Sequence, residues 1–121
     1  MKSNLLLGLA FALFIGLAFS ACETPTTTAT TTTYSDVSSI INAKCAVSGC
    51  HDATTAAKNV DCSSYSSMSG GTGKTNILTT AASGFNDRVF VTAPLMPLGG
   101  GSLTQAEKDL LQAWVNNNYA Q

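Results

Sequence analysis

Two thiols and an imidazole stand close together in Cys45-Ala46-Val47-Ser48-Gly49-Cys50-His51. Thiols are nucleophiles and soft ligands, and imidazole is the commonest metal ligand among side chains. Such a group can form disulfides, hold a soft metal, or add to an unsaturated cofactor. Spacing narrows the choice. At 3.6 residues per turn, positions five apart on a helix point roughly 140° away from one another. Cys45 and Cys50 therefore cannot reach one edge of a ligand from an unbroken helix, and the segment between them has to loop. Ser48-Gly49 supplies the break, because glycine accepts positive φ at little cost. Zinc fits poorly, since the chain holds a single His and lacks the usual ligand quartet.

A second chemical element comes late, in Thr92-Ala93-Pro94-Leu95-Met96-Pro97-Leu98-Gly99-Gly100-Gly101. The Met96 thioether is a soft ligand, Pro94 and Pro97 stiffen the loop that carries it, and the glycines allow close backbone turns. The pattern C-x-x-x-x-C-H, followed by Leu95-Met96-Pro97 and an amphipathic segment containing Trp114, resembles a small mono-haem c-type cytochrome of the class I kind. The resemblance spans roughly Tyr34 to Tyr119, with four residues between the thiols where two are commoner. It implies one covalently attached haem c, held by thioethers from Cys45 and Cys50, with His51 as proximal and Met96 as distal iron ligand. Met68 is the alternative thioether. The middle of the chain would wall the haem. Arg88 is a candidate partner for a propionate, because a guanidinium forks onto a carboxylate, and its plain alternative is a solvent-facing arginine. Trp114 would pack against the haem or at a crossing of the first and last helices.

The N-terminus reads as an export signal. A short basic region, Met1-Lys2-Ser3-Asn4, precedes an apolar run from Leu5 to Phe19. That run falls short of the roughly 20 residues of a membrane span and suits the core of a secretory signal. Ser20-Ala21-Cys22 then resembles the lipobox of bacterial lipoproteins, with Phe19 in the place usually held by leucine. The expectation is a signal peptide over 1–21, lipidation of Cys22 and a Thr-rich tether over 22–33. Its alternative is an ordinary signal peptide with a chance cysteine. Acyl chains contribute roughly 0.8 kcal/mol per buried methylene, so more than one chain on Cys22 would hold the protein at a membrane.

Composition agrees with a single exported domain. The chain has 121 residues, a formal net charge of −1 and no basic run, which argues against a nucleic-acid partner. Lys44, Lys58 and Lys74 are scattered, solvated charges or face an acidic redox partner. Ser69-Gly70-Gly71-Thr72-Gly73-Lys74-Thr75 imitates the end of a phosphate-binding loop, but Met68 occupies the position of its first glycine. A surface loop is the better reading. Of four cysteines, one goes to lipid and two to haem, leaving Cys62 as a buried thiol or half of an unidentified pair.

The elements that must position these groups read as helices. Ser35 suits an N-cap and Val37, Ile40 and Ile41 share a stripe, giving a helix over 36–44 that delivers Cys45. A short helix is expected after Asp61 or Ser63, and another over Phe85 to Val91. Thr104-Gln105-Ala106-Glu107 is a capping box, and Ala106, Leu110, Leu111, Ala113, Trp114 and Val115 continue as a helix that ends near Asn116 to Asn118. The expected fold is all-α, a small cytochrome c-like domain over 34–121. Large apolar residues are few, so a porphyrin would complete the core and the haem-free chain would fold poorly. The expected function is electron transfer rather than catalysis. A membrane-tethered cytochrome would carry single electrons between redox proteins of the cell envelope, on a periplasmic or cell-surface face. The alternatives are a ligand-binding or peroxidase-like haem protein with an open iron site, and a haem-free disulfide-bonded lipoprotein.

Overall fold

The computed structural model describes residues 30–79, 84–93, 95–98 and 101–121. The expected signal peptide and Cys22 lie outside the described residues, as do Pro94, Gly99 and Gly100. Among the described residues there are helices and turns and no strand, so the domain is all-α. No described helix is long and apolar enough to cross a membrane.

Helix α1 runs Tyr34–Lys44, two residues longer at its start than the apolar stripe indicated. Thr33, rather than Ser35, is its N-cap. The Asp36 carboxylate accepts from the Thr33 backbone N–H at 2.7 Å and from the Thr33 hydroxyl at 3.0 Å, which satisfies the chain end just before the helix. The extra turn is set by tertiary contact. The Tyr34 N–H donates to the Ala120 carbonyl at 2.7 Å, and the Asn117 side-chain amide donates to the Thr32 carbonyl at 2.8 Å. The last residues of the Thr-rich segment are thus held by the C-terminus as part of the folded unit.

Helix α2 is short, Tyr65–Met68, and is capped by Ser64, whose side chain accepts from the Ser67 N–H. A five-residue π-helical turn follows at Asp87–Val91. Helix α3 spans Gln105–Asn116 behind the expected capping box, with the Thr104 hydroxyl accepting from the Glu107 N–H at 3.2 Å and the Glu107 carboxylate accepting from the Thr104 N–H at 2.7 Å. Its buried residues are Leu111 and Trp114, while Ala106 and Leu110, expected on the same apolar face, are exposed. Asn118 and Tyr119 adopt left-handed backbone (φ 53° and 55°) and reverse the chain after the helix.

Helices α1 and α3 pack together, and aromatic rings fill the contact. Trp114 is fully buried against Phe85, Tyr119 and Tyr34, with ring centroids 5.5, 5.1 and 5.9 Å away. Tyr34 stacks in turn on Tyr65 at 5.5 Å, edge to face as ring quadrupoles favour. Two of these rings place a polar atom on a backbone acceptor. The Trp114 Nε1–H donates to the Ala120 carbonyl at 2.8 Å, and the Tyr65 hydroxyl donates to the Tyr119 carbonyl at 2.9 Å. Val37, Ile41, Met68 and Leu111, all without exposed surface, complete this end of the core.

Candidate functional site

The C-terminal end of α1 leads into the other half of the molecule. Lys44 closes the helix, and the Cys45 and Ala46 N–H groups still donate to the Ile41 carbonyl at 2.8 and 3.0 Å. The chain then leaves helical geometry, with Gly49 at φ +85°. A Cβ there would meet no atom within 4 Å, so glycine is required by backbone conformation and not by crowding. The Asp52 carboxylate knits the loop, accepting from the N–H groups of Gly49, Thr54 and Thr55 at 2.7–2.8 Å. Those bonds, Thr55's first, draw its pKa down to about 2 against the opposing cost of desolvation.

The His51 backbone carbonyl accepts from the Cys62 N–H at 2.8 Å, and the Cys50 carbonyl accepts from the Ala57 N–H at the same distance. These bonds fold the segment 57–62 back beside the Cys-His segment 45–51. The His51 Nδ1 lies 3.2 Å from the Val60 carbonyl oxygen. A carbonyl can only accept, so this bond puts the ring proton on Nδ1 and leaves the lone pair on Nε2. A backbone acceptor has no signature in the residue types, and nothing in the sequence pointed to Val60.

A cleft of about 910 Å³ opens at this end, within the roughly 300–1,000 Å³ usual for cofactor sites. Cys45, Cys50, His51, Arg88 and Met96 all line it. Met96 arrives from a distant part of the chain, its N–H donating to the Arg88 carbonyl at 2.8 Å, so the π-helical turn carries both residues to the cleft. Val47, Val60, Ile77, Phe85, Val89 and Leu98 supply most of the apolar wall. Lys44 and Lys58 line it too, whereas Lys74 does not, and no carboxylate is among its lining residues.

The thiols differ in setting. Cys50 is exposed, Cys45 is half-buried and Cys62 is buried, yet all three line the cleft. Burial pushes the Cys45 thiol up to about 11, and burial, with Cys45 and Asp61 nearby, pushes Cys62 up to about 12. Cys62 was the thiol left over once lipid and haem had been assigned, and nothing in its spacing placed it on the cleft.

Two residues singled out from sequence lie elsewhere. Trp114 does not line the cleft; Phe85 stands between, lining the cleft and meeting the indole edge to face. The indole belongs to the α1–α3 crossing, because its own N–H bond and three aromatic neighbours hold it there. Met68 is fully buried in the core and does not line the cleft either. Among the described residues no group of three or more His, Cys, Asp or Glu side chains gathers to hold a metal ion.

No family model matches the chain, and no curated protein or solved structure is significantly similar to it. The functional reading therefore stands on the residues and geometry of the cleft.

Proposed function

We propose that the domain is a c-type cytochrome that carries single electrons, with one haem c in the cleft. The observation that carries this reading is the meeting of Cys45, Cys50, His51 and Met96 on one largely apolar cavity, although Met96 is remote from the other three in the chain. The residues fit a porphyrin in kind. Two thiols serve covalent attachment, a nitrogen and a sulfur serve as axial ligands, and aliphatic and aromatic walls suit the flat apolar ring.

Cys45 and Cys50 would hold the ring edge. Each S–H adds across a vinyl double bond to give a thioether, with no oxidant or reductant needed. His51 would bind iron through Nε2, the nitrogen that the Val60 carbonyl leaves with a lone pair. Met96 would supply a thioether ligand from a loop tied to the Arg88 carbonyl. Arg88, on the cleft wall, is the candidate partner of a propionate. A haem held there would supply one-electron chemistry between ferric and ferrous states. His51 and Met96 together would occupy the ligand positions that a substrate would need, which favours a carrier over an enzyme. The apolar wall would exclude water from the group, and such burial is one control on a haem's potential. A signal peptide over 1–21 and a lipidated Cys22 followed by the Thr-rich segment would place the carrier on an envelope membrane, facing redox proteins.

The test is a pyridine haemochrome assay and an in-gel haem stain on full-length protein from a host that attaches c-type haem. Wild type is expected to stain and to carry one haem, and Cys50→Ala or His51→Ala to lose most of it. Colourless wild-type protein would end the reading.

A further inference from the structure

Haem attachment uses two of the three thiols on the cleft and leaves Cys62 without a task. Cys62 nevertheless sits where it can interfere. Its backbone N–H is bonded to the His51 carbonyl, it lines the same cavity as Cys45 and Cys50, and Cys45 packs against the core cluster to which Cys62 belongs. Cys45 and Cys62 are both on the sheltered side of the cleft, whereas Cys50 faces solvent.

We propose that Cys62 is a competing partner of Cys45: in the haem-free chain these two close a disulfide that withholds Cys45 from the cofactor. The inference rests on the haem reading for its consequence, but the disulfide itself does not. The oxidant is a disulfide of the oxidising envelope, either a small one such as oxidised glutathione or that of an exchange enzyme. Exposed Cys50 is the entry point. Its thiolate attacks the incoming disulfide, releasing one thiol and leaving a mixed disulfide on Cys50. Cys45 then attacks the Cys50 sulfur and expels the second thiol. Cys62 attacks the Cys45 sulfur in turn, giving Cys45–Cys62 and returning Cys50 as a thiol. The chain has lost two electrons and two protons, both taken up as the two released thiols. Because the product is buried, an external reductant reaches it only when Cys50 reverses the last exchange. Haem attachment, which needs the Cys45 thiol, then requires a reductant as well as cofactor.

The experiment uses the full chain made in an exported form, in one host that attaches c-type haem and in one that does not. Cells are acid-quenched, free thiols are alkylated, and peptides are mapped by mass spectrometry without reduction. In the non-attaching host, Cys45 and Cys62 are expected in one cross-linked peptide with Cys50 alkylated. In the attaching host, Cys62→Ser is expected to raise the fraction of haem-loaded protein severalfold under oxidising growth and to change little when a thiol reductant is supplied. A Cys45–Cys50 cross-link with Cys62 alkylated would overturn the proposal. So would wild type and Cys62→Ser loading equally. If no variant ever takes haem, the cytochrome reading fails, and the cross-link map still decides which thiols pair.

Discussion

The two ends of α1 belong to different kinds of structure. At its N-terminal end Tyr34 joins Tyr65, Phe85, Trp114 and Tyr119 in a packed aromatic cluster tied down by backbone acceptors from 119 and 120. At its C-terminal end Lys44 and Cys45 open onto a large cavity walled by loops, and three nearby residues, Ala56, Lys58 and Asn59, hold positive φ without being glycine. The aromatic end buries its apolar surface against itself. The cleft end instead uses Ile77, Phe85 and Val89 as part of the wall of an open cavity. The same small chain is closed at one end and open at the other, and Phe85 belongs to both.

That contrast predicts where substitutions will be felt. Trp114→Ala removes the centre of the packed end and is expected to lower unfolding stability by about 3–5 kcal/mol, read by chemical denaturation. The visible spectrum of the protein that still folds should be unchanged, since Phe85 separates the indole from the cleft. A shifted haem spectrum would place Trp114 against the cofactor after all. Met96→Ala strikes the other end and should have the opposite signature. On the proposed haem reading, the cofactor should stay attached through Cys45 and Cys50, the reduction potential should fall within the roughly 0.8 V that axial ligands span, and the reduced form should gain carbon monoxide binding. An unchanged potential in redox titration would remove Met96 from the iron.

Acid should act on both ends through their carboxylate caps. The Thr33 N–H lowers the pKa of Asp36 and the Thr104 N–H that of Glu107, while Thr55, Thr54 and Gly49 hold Asp52 at about 2. Each folded value lies below its unfolded one, so the stabilisation is complete above the ordinary carboxylate range of roughly 4 and is lost as pH falls through it. Helical circular dichroism should hold from neutrality to about pH 5. Loss should come first at α1 and α3 and last, toward pH 2, at the Asp52 loop. Loss starting above pH 6 would mean that other groups control the acid response. The smallest effect belongs to the left-handed backbone of the cleft wall. Lys58, at φ 60°, should be replaceable by glycine with a gain of about 0.5–1 kcal/mol in thermal unfolding, because a side chain in that region is penalised more than glycine's extra entropy costs. A loss instead would show that the Lys58 side chain contributes to the cleft.

Helix α3 was legible almost to the residue, because its capping box is a local bond pattern written into Thr104 and Glu107. The break between the two thiols was legible for the same reason, since Gly49 alone in that loop needs positive φ. The start of α1 was not, because Thr33 and Tyr34 are fixed by bonds to Asp36 and to Ala120, and the second of these depends on where the distant C-terminus lies. Trp114 could be read as buried but not as buried away from the cleft, since an amphipathic face does not say which neighbour it will meet.

Residue types and short-range spacing by themselves determined the all-α class, the capped last helix and the chemistry available to Cys45, Cys50, His51 and Met96. Tertiary structure alone decided that Met96 and Arg88 come to the same cavity as Cys45, Cys50 and His51, that Val60 turns its carbonyl to His51, and that Cys62 joins the other two thiols. The reason is physical: propensity and capping act over one or two helical turns, whereas a cleft is made by segments far apart in the chain, and only packing chooses which of them meet.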